Sequence, residues 1–93
     1  MDDLDGFQRD LLVVIAGLEE PNGLEIKAEI EEYYESPINH GRLYPNLDSL
    51  VSGGLVEKHQ QDERTNAYRL TEDGWNLLEK RKEWERQYVE AMA

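Results

Sequence analysis

Ninety-three residues form one small domain, 1–93, whose single core buries only a modest share of the chain. The chain carries 21 acids against 10 bases, a formal charge of −11, and 39% of its residues are hydrophobic. It has no cysteine, which excludes disulfides and thiolate metal sites and leaves oligomerisation as the common route to extra stability.

So acidic a composition reads either as disorder or as adaptation to very high salt. The helical apolar periodicity described below argues against disorder. In molar salt the Debye length falls to ~3 Å, so surface acids barely repel one another. The charge is also uneven. Residues 1–35 carry 11 acids and 2 bases, residues 36–70 carry 4 of each, and residues 71–93 carry 6 acids and 4 bases. A surface that approaches a polyanion needs such a gap in the negative field, although a turn-rich, less charged segment would look the same.

In the first helix, 5–20, Asp5 is the N-cap and Gln8 completes a capping box. Phe7, Leu11, Leu12, Val14, Ile15 and Leu18 form a stripe wide enough to face both a core and a neighbour. Pro21 ends it, because a proline biases its predecessor away from helix. The run LLVVIAGL is too short to span a bilayer and has no signal-peptide flanks, so a cytoplasmic protein without a membrane partner is expected.

Asn22 and Glu25 make a second capping box at the start of the helix 22–35. Ile26, Ile30 and Tyr33 or Tyr34 form its buried stripe. Glu25, Glu29, Glu31 and Glu32 form an acidic face that lacks EF-hand spacing and reads as solvated, with no metal. Ser36-Pro37 then breaks the chain.

The third helix, 39–53, is capped by Asn39, and Ile38 and Leu43 are placed as a hydrophobic staple. Leu43, Leu47, Leu50 and Val51 give it one apolar face, with Arg42, Asn46, Ser49 and Ser52 on others. Pro45 removes the bond from its nitrogen to Gly41 and is expected to kink the helix near its start. Gly53-Gly54 stops it. Leu55–Gln60 and Ala67–Leu70 read as a hairpin, 55–70, with QDERTN at its tip and Tyr68 and Leu70 on the buried face. Thr71 caps a last helix, 71–92, with Glu72 and Asp73 in its first turn. Trp75, Leu77, Leu78, Trp84, Tyr88, Val89 and Met92 give that helix more apolar surface than the remaining core can cover. Either a second copy covers it or both tryptophans fold back on the same chain. The dimer reading assigns Phe7, Leu11, Trp75, Leu78, Trp84, Tyr88 and Val89 to the interface.

Three helices, a two-stranded wing and a long helix make a mainly α chain with the order of a winged helix-turn-helix. From Gly23 to Trp84, about two thirds of the chain, the sequence resembles the PadR-like family of transcriptional regulators. The resemblance lies in GLEIKAEIEEYY at the second helix, GRLYPNLDSLVSGGLVEK across the third, and AYRLTEDG at Ala67–Gly74. Its most specific part is Leu43-Tyr44-Pro45, then Leu47, Leu50 and Gly54-Leu55. The family's wing is often rich in Arg and Gly, whereas QDERTN holds one Arg and two acids. Asp48 also stands on the third helix, where a phosphate would repel it. The acidic character resembles a haloarchaeal member.

The resemblance implies a homodimeric regulator of double-stranded DNA, most commonly a repressor. In some members it also implies a small hydrophobic effector near the dimer interface, here beside Trp75 or Trp84. The N-terminal part of the third helix would enter the major groove. Arg42 suits guanine O6 and N7, and Asn46 suits adenine edges. Asn39, His40, Tyr44 and Ser49 suit phosphates or base edges. Arg64 would enter a minor groove, with Thr65, Asn66 and Lys58 on the backbone. Each of these is otherwise an ordinary polar surface side chain. No cofactor is implied. No nucleophile elbow, phosphate loop or metal motif points to an enzyme, and His40 and His59 are far apart in sequence. The rival reading is a winged helix that binds proteins and never meets DNA.

Overall fold

The computed structural model describes residues 4–89. Four helices and one hairpin follow in order: α1 (Gly6–Gly17), α2 (Gly23–Tyr34), α3 (His40–Ser52), β1 (Val56–Gln60), β2 (Asn66–Leu70) and α4 (Glu72–Val89). The expected continuation of α4 to 92, with Met92, lies outside the described residues.

Local chemistry accounts for where the helices begin. Asp5 accepts the Gln8 N–H at 2.8 Å, and the Gln8 side chain accepts the Asp5 N–H. Asn22 and Glu25 make the same reciprocal pair. Asn39 accepts the Arg42 N–H at 2.8 Å and caps α3. These contacts satisfy N–H groups that a helix start otherwise leaves without partners. α1 ends at Gly17, short of Glu20, because Leu18 is already extended and Glu20 takes φ 42° before Pro21. α2 stops through a left-handed Glu35, and α3 runs through Pro45 to a turn that uses φ +80° at Gly54.

The turn between α2 and α3 hangs on Glu31. Its carboxylate accepts the Ile38 N–H and the Lys27 ammonium, each at 2.8 Å. The Lys27 bond and the Ile38 bond hold this carboxyl below the usual carboxylate range.

The core gathers Phe7, Leu11, Leu12 and Ile15 of α1 with Ile26 and Ile30 of α2. Ile38, the α3 leucines 43, 47 and 50, and Val56, Tyr68 and Leu70 of the hairpin complete it. Phe7 and Leu11, expected at a dimer interface, are 6% and 0% exposed inside this core and have no surface left for a second copy. The wide α1 stripe put both on a face that could have pointed either way, and α2, α3 and the hairpin close over it. Of the two tyrosines proposed for α2's buried stripe, Tyr34 is half-buried and Tyr33 is exposed.

β1 and β2 are antiparallel, with Val56 opposite Leu70 and Gln60 opposite Asn66. A third chain segment that the sequence did not suggest adds to β2. Asn22 bridges Ala67, and the Tyr68 N–H donates to the Pro21 carbonyl at 2.9 Å. The stretch before α2 is thereby tied to the wing.

α4 starts where the hairpin ends. The Thr71 hydroxyl accepts the Gly74 N–H at 3.0 Å and donates to the Gly54 carbonyl at 2.6 Å. Gly74 is buried against Leu55, whose carbonyl oxygen occupies the space that a Cβ would need. Replacing a helical glycine by alanine ordinarily stabilises by up to ~1 kcal/mol. Here the sign reverses: Gly74→Ala forces α4 off the hairpin and should cost about 1–3 kcal/mol in thermal denaturation. An unchanged or higher melting temperature would show that α4 is not seated this closely.

Candidate nucleic-acid interface

α3 projects from the core on three leucines, which sets the direction of every other side chain on it. Leu43, Leu47 and Leu50 face inward. The opposite ridge is Gly41, Pro45, Asp48 and Ser52, all exposed. Arg42, Asn46 and Ser49 lie on one flank, and His40 and Tyr44 on the other, as 100° per residue requires.

The first flank leans on α1. The Arg42 guanidinium lies over the Phe7 ring, 4.0 Å from its centroid, and 6.0 Å from that of Tyr34. Asn46 accepts from the Gln8 side-chain amide at 3.0 Å and donates to the Arg42 carbonyl at 2.7 Å. Part of its hydrogen-bonding capacity is therefore spent inside the chain. The Ser49 hydroxyl donates to the Pro45 carbonyl at 3.0 Å. Gln8 was not among the expected site residues. Its capping role was legible, but its reach to a residue 38 positions away has no local signal.

The second flank faces the wing. Tyr44 packs over Gly23, where a Cβ would stand 2.5 Å from the Tyr44 hydroxyl, and its ring lies 5.4 Å from that of His40. A shallow cleft of about 200 Å3 joins Tyr44 to Arg64, Thr65, Asn66 and the start of α2. Four of the expected contact residues, from two separate elements, thus line one concavity. Arg42 and Asn46 lie on the other side of α3, and Asn39 is exposed at its start.

Asp62 shapes the wing tip. Its carboxylate accepts the Arg64 N–H at 2.9 Å. This bond, with another from the Thr65 hydroxyl, holds the Asp62 carboxyl below its ordinary value. One of the two acids that distinguish this wing is therefore a turn-forming residue that fixes the backbone at Arg64.

The charges resolve in pairs. Lys58 reaches Asp48 at 3.5 Å and removes much of the like-charge penalty on the outer ridge of α3. Arg69 pairs with Glu57 at 2.9 Å and Glu20 at 3.8 Å, and His59 lies 3.4 Å from Glu20. Between positions 36 and 70, among the described residues, Arg42 and Arg64 are the arginines and lysines that no carboxylate pairs with.

Away from α3, the long helix leaves Trp75, Trp84, Tyr88 and Val89 exposed, with Leu78 half-buried against the core. Trp84 lines a hollow of about 910 Å3 with Leu55, Asp73, Asn76, Leu77, Lys80 and Arg81, whereas Trp75 does not. No helix among the described residues is long and apolar enough to cross a membrane.

Residues 11–80 match the transcriptional regulator PadR-like family. Among solved structures, RosR of H. salinarum is 52% identical over 91% of this chain and 76% of that one, with a TM-score of 0.86. A PadR family transcription regulator from hypervirulent Clostridium difficile is 25% identical, with 94% of each chain covered and a TM-score of 0.69. Streptococcus pneumoniae FabT in complex with DNA shares the fold at 20% identity, over 97% of this chain and 60% of that one, with a TM-score of 0.78. No curated protein matches the chain.

The contact between Tyr34 of α2 and Asp10 of α1 has a titration signature. The Tyr34 hydroxyl donates to Asp10 at 2.6 Å. Burial, the bond to Asp10 and its negative charge push the Tyr34 phenol up to about 12. An unfolded tyrosine ionises near ~10, so the folded state should lose stability as pH rises from ~10 through the Tyr34 value. Tyr34→Phe should make that alkaline decline in denaturant-measured stability shallower. Tyr68, also raised by burial, contributes to both proteins. Identical declines in the two proteins would contradict the Tyr34 assignment.

Proposed function

The chain belongs to the PadR-like family of transcriptional regulators, and we propose that it is a sequence-specific DNA-binding regulator that works as a homodimer and most commonly represses. It is a transcription regulator of winged helix-turn-helix form and not an enzyme. The observation that carries the DNA reading is electrostatic. In a chain of charge −11, the unpaired bases of the neutral middle segment stand on α3 and at the wing tip, flanking one exposed ridge.

In this reading the N-terminal half of α3 enters the major groove and the wing tip meets the adjacent minor groove or backbone. Arg42 offers its fork to a guanine, and Asn46 keeps capacity for a base edge. Tyr44, Thr65 and Asn66 line the cleft through which a phosphate strand would pass. Asn39, His40, Ser49 and Lys58 complete the contact surface.

The exposed Trp75, Trp84, Tyr88 and Val89, with Leu78 at their base, are the surface for the second copy. Half-exposed tryptophans on a helix with one buried residue, Gly74, support that use. A small hydrophobic effector would lodge beside Trp84, close to this interface. The site of action is the cytoplasm, at molar salt.

The test is a fluorescence titration of a labelled duplex, selected by the wild-type protein from a random pool, in molar KCl. Arg42→Ala and Arg64→Ala should each weaken specific binding by at least about fivefold, Arg42→Ala because a good bidentate base contact is worth ~1–3 kcal/mol. Losses within about twofold for both would overturn the readout. The salt slope should be shallow or reversed, because cations bridge the protein's acids and the phosphates. The steep fall of affinity with salt that ordinary counterion release produces would contradict this.

A further inference from the structure

Arg42 is held at both ends before any DNA is present. Its carbonyl accepts from Asn46, which Gln8 ties in turn to the first turn of α1. Its guanidinium lies over the Phe7 ring of α1, with Cζ 4.0 Å from the ring centroid. Phe7 cannot move away, because it is 6% exposed and packs edge-on against Tyr34, with centroids 6.0 Å apart. Tyr34 is itself pinned by its bond to Asp10.

We propose that Phe7, backed by Tyr34, is a positioning platform that sets the orientation of Arg42 for base readout, although neither ring touches DNA. The chemistry is specific to arginine. A guanidinium held over a ring by cation–π attraction spends none of its N–H donors on a carboxylate, so its fork stays free for a bidentate partner. A long side chain ordered in advance gives up less rotamer freedom on binding, so the platform raises affinity without adding a contact. It also narrows the directions the fork can take, which sharpens discrimination at the one base pair that Arg42 reads. This inference rests on the reading of Arg42 as a base reader.

A double-mutant cycle tests it in the full chain, using the selected duplex and single-base variants of it in molar KCl. Phe7→Leu keeps an apolar side chain in the core and removes the ring. It should weaken binding about two- to fivefold and relax discrimination at the same base pair as Arg42→Ala, and at no other. In the Arg42→Ala background it should cost nothing further. Phe7→Tyr, which restores the ring, should recover wild-type binding.

Equal losses from Phe7→Leu with and without Arg42, or relaxation spread over the whole site, would mean a merely structural role and overturn the proposal. If Arg42→Ala leaves binding within about twofold, the readout itself fails, and that result is distinct from a failed platform. If Phe7→Leu melts below the assay temperature, Tyr34→Leu on the half-buried second ring runs the same cycle with the same deciding outcomes.

Discussion

Everything presented by α3 depends on how its three leucines seat in the core. Leu43, Leu47 and Leu50 are fully buried, and each such burial is worth ~1.5–3 kcal/mol. They are the apolar grip of a helix whose remaining surface is exposed or only partly covered. A grip on one stripe fixes the rotation of the helix but not its position along its own axis. The ends settle the position. Asn39 caps one end, Glu31 anchors the entering turn through the Ile38 N–H, and Gly54 turns the chain into the wing at the other. Because the wing leaves so directly, its base is tied back twice, to Pro21 before α2 and through Thr71 to Gly54. α3 and the strands of the wing are consequently joined in one frame by hydrogen bonds of known partners.

Electrostatics works on that frame by cancellation. The middle segment is neutral by count, with four acids and four bases, and two of its couples meet: Asp48 with Lys58, and Glu57 with Arg69. Both are exposed pairs, worth little to stability. Their effect is on the field a polyanion would meet, since they offset the negative charge on the outer ridge and leave Arg42 and Arg64, with Asp62 and Glu63 at the wing tip, outside any salt bridge among the described residues. A protein of net charge −11 needs such local arrangement more than a basic one does. Arg42 keeps its charge available by leaning on an aromatic ring, where a carboxylate would have neutralised it.

Local features were legible in the chain and distant ones were not. Both capping boxes, the Asn39 cap, the glycine stop and the buried Tyr68–Leu70 face follow from spacings of a few residues, and the structure has them all. The order of elements was equally readable, because periodicity changes from helical to alternating and back. Which side of α1 meets the core was not readable: a stripe that wide is compatible with two orientations, and Phe7 and Leu11 turned out to be core. The Pro21 rung, the Gln8–Asn46 bond, the Lys58–Asp48 pair and the stacking of Arg42 on Phe7 all join separate elements. No pattern within one element announces them. The wing's acids were readable as a departure but not as a mechanism, because Asp62 is explained only by the turn it closes on Arg64.

The proposed function has one central consequence: two copies joined through α4 would present α3 and the wing tip to DNA together, once per copy. Selection of bound duplexes from a random pool in molar KCl, followed by sequencing, reads this directly. An enriched inverted repeat with half-site centres about one helical turn apart, roughly 10 base pairs, is the expected result. Enrichment of no sequence, or of a single unrepeated half-site, would contradict it.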